Sequence, residues 1–243
     1  MLKNMQFLDK YYQESNNEFV ISAIQGNNFA KEVANDFNPI HDTHAKRFCV
    51  PGDLLFAIAL NQYGLHEQMT FQFRELVKAD SRLIYPSSSD TDRDFQLNVI
   101  NSRDKTVLGV SAKGKSSMNT DQIEQLIKNY VAFSGHNFPH ILVPLMKQHN
   151  VMINPTRPLV IYENMSLNFT TLEFTDIDIH LDQTSLSVEG KRGDTNLHFI
   201  IESNGEVIGS GIKKLVLSGL REYDQSAIDD MCLRYQQSVN RHM

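Results

Sequence analysis

The chain has 243 residues, of which 41% are hydrophobic and 21% charged, and its formal net charge is −6. That balance describes a globular protein with room for one large domain or two small ones, and it excludes disordered and fibrous classes. The Lys and Arg residues are scattered, so there is no basic field suited to a phosphate backbone, and nucleic acid is not an expected partner.

Residues Met1 to Lys10 break their apolar stretch with charge every few positions. That pattern predicts neither a signal peptide nor a spanning segment, hence a cytoplasmic protein without membrane insertion. Residues 27 to 35 carry Phe29, Val33 and Ala34 at helical spacing and predict a helix. It runs into Asp36-Phe37-Asn38-Pro39-Ile40-His41, where Pro39 fixes its own φ and keeps Asn38 out of the helical region. The chain is expected to bend there, bringing the Asp36 carboxylate and the His41 imidazole together as an acid/base pair that works near neutral pH. Gly52 and Asp53 open a segment, Leu54 to Leu60, that is apolar all round and predicts a fully buried helix. Apolar residues then alternate at Met69, Phe71 and Phe73, at Phe95, Leu97 and Val99, and at Leu108, Val110 and Ala112, predicting half-buried antiparallel strands. Residues 86 to 90 and 101 to 105 carry turn chemistry.

From residue 117 the pattern restarts. Ile123, Leu126, Ile127 and Tyr130 share a helical face with Thr120 as N-cap. Pro139 follows Pro39 at a spacing close to that separating Met165, Leu167 and Phe169 from Met69, Phe71 and Phe73, and Leu197 and Phe199 from Leu97 and Val99. We read an internal duplication: residues 1–117 as a first unit bearing the acid/base motif, 118–219 as a second, and 220–243 as a helical tail with Ile228, Met231, Cys232 and Tyr235 on one face. Each unit is helix, turn, buried helix and strands, an α+β arrangement of one antiparallel sheet wrapped around central helices.

The run from Asp36 to His41, followed by Phe48-Cys49-Val50-Pro51-Gly52-Asp53-Leu54-Leu55, resembles the signature of MaoC-like enoyl-thioester hydratases, which have the hotdog fold. Over its full length the chain also resembles an uncharacterised bacterial family classed with that superfamily. The resemblance implies a double hotdog that adds or removes water at the α,β bond of an acyl thioester. It implies Asp36 and His41 as catalytic residues, Gly52 as the amide donor to the thioester oxygen, and Asn38 as a substrate contact. No cofactor is implied, since coenzyme A or acyl carrier protein enters as the substrate's carrier. Because the duplication supplies internally the pairing that single-copy relatives obtain by dimerising, a monomer or homodimer is expected. The chain departs from the family pattern at Pro51, at Asp53, at Leu60 and in the short segment between His41 and Phe48. In the second unit His136 and Ile141 replace the acid/base pair.

Duller readings stand beside these. Asp36 could cap a turn and His41 could be a buried, backbone-satisfied histidine. His41, Asp42 and His44 lack a third ligand at a defined spacing, so no metal is expected. Cys49 and Cys232 read as reduced thiols, Cys49 as a small core residue. Ser134 beside His136 has no nucleophile elbow and is set aside. Lys46, Arg47, Arg74 and Lys78 could meet carrier phosphates or be ordinary surface cations. The sequons at Asn164 and Asn168 fall in a predicted strand and are discounted. A non-catalytic acyl-thioester or lipid-metabolite binding protein is the alternative function, and a purely structural protein is the third.

Overall fold

The computed structural model describes residues 6–87 and 93–242. Its first hairpin, β1 (Gln13–Ser15) and β2 (Glu18–Val20), leads to α1 (Ala23–Glu32). Ser22 and Gln25 form a reciprocal capping box that starts α1 earlier than the apolar spacing suggests. Its end is also earlier than predicted, because Asn35 adopts a left-handed φ of 50° and the Asp36 amide turns back to the Ala30 carbonyl at 2.8 Å. A 3-10 turn at Pro39–His41 follows, and then α2 (Gly52–Tyr63). From Asp53 to Asn61 every residue of α2 is buried.

Strands β3 (Leu65–Phe73), β4 (Arg82–Ile84), β5 (Phe95–Asn101) and β6 (Thr106–Ser117) complete the first half. The predicted turn at 86–90 runs into positions 88–92, which lie outside the described residues. In the second half come α3 (Thr120–Gly135), α4 (Asn137–His140), α5 (Leu142–Gln148), β7 (Val151–Met152), β8 (Val160–Phe169), β9 (Asp178–Glu189), β10 (Arg192–Ser203), β11 (Glu206–Ser218), β12 (Arg221–Glu222) and α6 (Gln225–Asn240). The N-cap of α3 is Asn119 rather than Thr120: its side-chain oxygen accepts from the amides of Asp121 and Gln122.

Among the described residues ten strands form one sheet in the order β1-β2-β4-β5-β6-β3-β8-β11-β10-β9. At its centre the equivalent strands β3 and β8 pair antiparallel, with Thr70 opposite Ser166 and Phe71 opposite Met165. Pairing equivalent strands antiparallel is what two copies related by a twofold axis require. The fold is α+β, a double hotdog: an antiparallel sheet around central helices.

The repeat is unequal. In the first half the sheet is filled by α2, which follows the Pro39 turn. In the second half the long helix α3 precedes Pro139, and the segment after it, read from sequence as a buried helix, yields only the seven-residue α5. Asn150, at a φ of 51°, turns the chain just beyond it. Two cores result. The larger surrounds α2 and α3 and includes Phe56, Phe71, Tyr130 and Phe199; the smaller joins α5 and α6 through Leu142, Leu145, Ile228 and Met231 to Leu197, Leu215 and Leu217. Tyr162 of β8 packs against both.

Candidate functional site

A cavity of about 770 Å³ opens where the two cores meet. The Asp36–His41 turn, the start of α2, the end of α3, β8, β11 and one face of α6 all line it. Its apolar wall includes Leu55, Phe73, Val77, Leu142, Leu215 and Met231. Arg74, Glu75, Leu76 and Arg234 lie at its exposed end, whereas Asp53, Ser134 and Lys213 are buried. Of the four cations singled out in the sequence, Arg74 lines the cavity.

All four sequence-predicted site residues are on this wall. Asp36 divides its oxygens between two tasks. Oδ1 accepts from the Asn38 amide at 2.8 Å, the turn-capping role, and Oδ2 faces His41 Nε2 at 3.4 Å. Burial alone would raise the Asp36 carboxyl, but the His41 imidazole, the Asn38 amide and the Lys31 ammonium hold its pKa below the ordinary value. His41 is anchored by its other nitrogen, 2.7 Å from the Cys49 carbonyl oxygen. A carbonyl only accepts, so Nδ1 carries the proton and donates it, leaving Nε2 toward Asp36. The Asn27 amide group donates to the His41 carbonyl at 3.1 Å, and Lys31 to the Asp36 carbonyl at 3.0 Å, so α1 holds both ends of the turn. Asn38 spends its side-chain oxygen locally, accepting from the Ile40 amide at 3.2 Å.

Gly52 begins α2 immediately after Pro51, whose carbonyl accepts from Leu54 and Leu55. First-turn amides such as those of Gly52 and Asp53 have no partner within their own helix and make a partial positive end. A Cβ on Gly52 would come within 2.9 Å of the Tyr162 ring and 3.3 Å of Phe73, so glycine here also lets two aromatic rings, tilted against each other, lie against the helix. Cys49 is buried, and burial pushes its thiol up to about 11, which leaves it unreactive.

Sequence reasoning missed a second polar cluster. The Ser134 hydroxyl, on the last turn of α3, donates to Asp53 Oδ2 at 2.6 Å and accepts from Lys213 Nζ of β11 at 2.5 Å. Lys213 also donates to the Ser134 carbonyl at 3.2 Å and lies 4.5 Å from the centre of the Tyr162 ring, whose hydroxyl bonds to that of Tyr130. Among the described residues, Asp53 Oδ1 is buried without a partner. Burial raises the Asp53 carboxyl despite Lys213 and Ser134, and burial lowers the Lys213 ammonium despite Asp53 and Asp36. One local signal existed: Lys213 falls on the inward face of β11 with Gly211, Leu215 and Leu217.

Among the described residues no three His, Cys, Asp or Glu side chains gather as metal ligands would, and no helix is long and apolar enough to cross a membrane. No curated protein sequence matches the chain. Solved structures similar to it include a protein of unknown function with a hot dog fold from Alicyclobacillus acidocaldarius, at 9% identity, 88% coverage of this chain, 98% of that chain and a TM-score of 0.47. An acyl-CoA thioesterase II from Mycobacterium marinum is similar at 10% identity, 91% and 99% coverage and a TM-score of 0.43. A MaoC-like dehydratase is similar at 8% identity, 88% and 99% coverage and a TM-score of 0.42. At the level of sequence, the family model described as "Protein of unknown function (DUF3581)" matches residues 5–226, and the chain belongs to that family.

Proposed function

We propose that this protein adds water to, or removes it from, the α,β bond of an acyl thioester, with Asp36 and His41 as the acid/base pair and coenzyme A or acyl carrier protein as the acyl carrier. The observation that carries the reading is the pairing of Asp36 Oδ2 with His41 Nε2 at 3.4 Å on the wall of a largely apolar cavity. A water hydrogen-bonded to both atoms gives one proton to Asp36 as its oxygen bonds to the β-carbon, His41 in its doubly protonated form gives its Nε2 proton to the α-carbon, and Asp36 then returns its proton to Nε2. Negative charge passes through the thioester oxygen, and the first-turn amide of Gly52 is its donor in this reading. Asp53, a negative neighbour for that oxygen when read from sequence, turns its carboxyl to Ser134 and Lys213.

The test is incubation with crotonyl-CoA, with the product identified by mass as the intact thioester one water heavier. Asp36→Asn and His41→Ala, each checked for folding, are expected to lower the rate by about 10²- to 10⁴-fold. No hydrated product from short, medium or long enoyl thioesters would reject the reading. Binding of those thioesters without turnover would favour the non-catalytic alternative, which draws on the aromatic rings packed over Gly52.

A further inference from the structure

The Asp53, Ser134 and Lys213 cluster lines the same cavity as Asp36 and His41 yet has no task in hydration. Three elements that are distant in sequence bring these side chains together: the first turn of α2, the last turn of α3 and the inward face of β11. We propose that Ser134 is a nucleophile with Lys213 as its base, and that this centre hydrolyses the acyl thioester within the cavity.

Geometry carries the assignment. Ser134 Oγ sits between a carboxyl at 2.6 Å and an amine at 2.5 Å, the reach a nucleophile needs to its base and to the group that orients it. A hydroxyl proton rotates to suit its partners. With both partners charged the Ser134 proton points to Asp53; in the neutral-acid, neutral-amine form Asp53 donates to Oγ and the Ser134 proton turns to Lys213. That arrangement suits a dry site, where a neutral acid and a neutral amine cost less than two charges. Asp53 Oδ1, which has no partner among the described residues, agrees, because a buried orphan oxygen is less costly on a carboxylic acid than on a carboxylate. Burial also holds the Lys213 amine toward its neutral, basic form. When Lys213 takes the proton, the Ser134 carbonyl and the face of Tyr162 receive the ammonium.

The chemistry closes on itself. Oγ bonds to the thioester carbonyl carbon as its proton passes to Lys213. The carbonyl re-forms as the C–S bond breaks, and sulfur leaves with the bonding pair and takes the proton from Lys213. Water then attacks the acyl-serine, giving a proton to Lys213, and Oγ departs and recovers it. Thioester and water become carboxylic acid and thiol.

The proposal rests on the thioester reading for its ligand class, and a saturated substrate separates the two. Butyryl-CoA has neither a double bond nor a 3-hydroxyl group, so hydration and dehydration cannot act on it, and free coenzyme A measured by chromatography reports hydrolysis alone. The expected result is coenzyme A release by the parent protein, reduced at least 100-fold in Ser134→Ala and in Lys213→Arg, which keeps a long hydrogen-bond donor but removes the base. A fluorophosphonate, which bonds to activated serine hydroxyls, should label the parent at Ser134 and leave both variants unlabelled, with thermal melts confirming their fold. Release no faster than in buffer, release that persists in Ser134→Ala, or labelling elsewhere overturns the proposal. Hydration of crotonyl-CoA under the same conditions stands or falls separately.

Discussion

Gly135 and Ala34 lie so close that the space of a single methyl group separates two folding outcomes: a Cβ built on Gly135 would stand 1.7 Å from the Ala34 carbonyl oxygen and 3.0 Å from the Asp36 amide. The end of α3 thus presses on the backbone that carries Asp36. Because the obstacle is main chain, it cannot swing aside as a side-chain tip could. Gly135→Ala is expected to destabilise the protein by about 1–3 kcal/mol, the usual range for an overpacked site. Urea denaturation measures it, and a variant as stable as the parent would mean that α3 does not touch that turn.

Acid should expose the Asp36 pairing. Its carboxyl is held below the ordinary 3.8 in the folded state, so the folded chain keeps its proton off where the unfolded chain has taken one up. The stabilisation is therefore present above about pH 4 and is lost as pH falls through the lower, folded value. Asp36→Asn should flatten this part of the curve of stability against pH while leaving the region from pH 6 to 8 nearly parallel to the parent. Coincident slopes below pH 4 would contradict the pairing.

The His41 ring should be fixed in one tautomer. Its contact with the Cys49 carbonyl at 2.7 Å requires a proton on Nδ1, so the neutral ring turns its bare Nε2 toward Asp36. Nitrogen-15 spectra of the imidazole should show the neutral ring protonated on Nδ1. A neutral form protonated on Nε2 would break this picture.

Lys213 and Asp53 should behave as partners through Ser134. Removing the amine in Lys213→Met leaves the Ser134 hydroxyl and carbonyl short of a buried hydrogen-bond partner, at an expected cost of about 1–3 kcal/mol. In Asp53→Leu/Lys213→Met both ends go together, and the loss should be smaller than the sum of the two single losses. Strictly additive losses would show that the three side chains do not act as one network.

The legible parts of this fold were those written in neighbouring residues. Alternation at Met69, Phe71 and Phe73 and at Phe95, Leu97 and Val99 gave β3 and β5, and the Asn38-Pro39 constraint gave the turn that joins Asp36 to His41. Strand β9 was missed because its residues are mostly exposed, with Leu186 alone buried, and the alternation runs only from Thr184 to Val188, too short to read. The Ser134 cluster was missed because its contacts cross 81 and 79 residues of sequence. Asp53 looked like an ordinary acidic helix start, and Ile212 beside Lys213 obscured which residues of β11 face inward.

Joining the two halves through β3 and β8 makes β1 and β9 the outer strands of the sheet among the described residues. A naked rim invites another chain to extend the ladder. Here β1 has only three residues, all exposed, and β9 displays Asp178, Asp182 and Glu189 toward solvent. Brevity guards one flank and like-charge repulsion the other, so the architecture that builds the cavity also discourages its own strand-to-strand polymerisation.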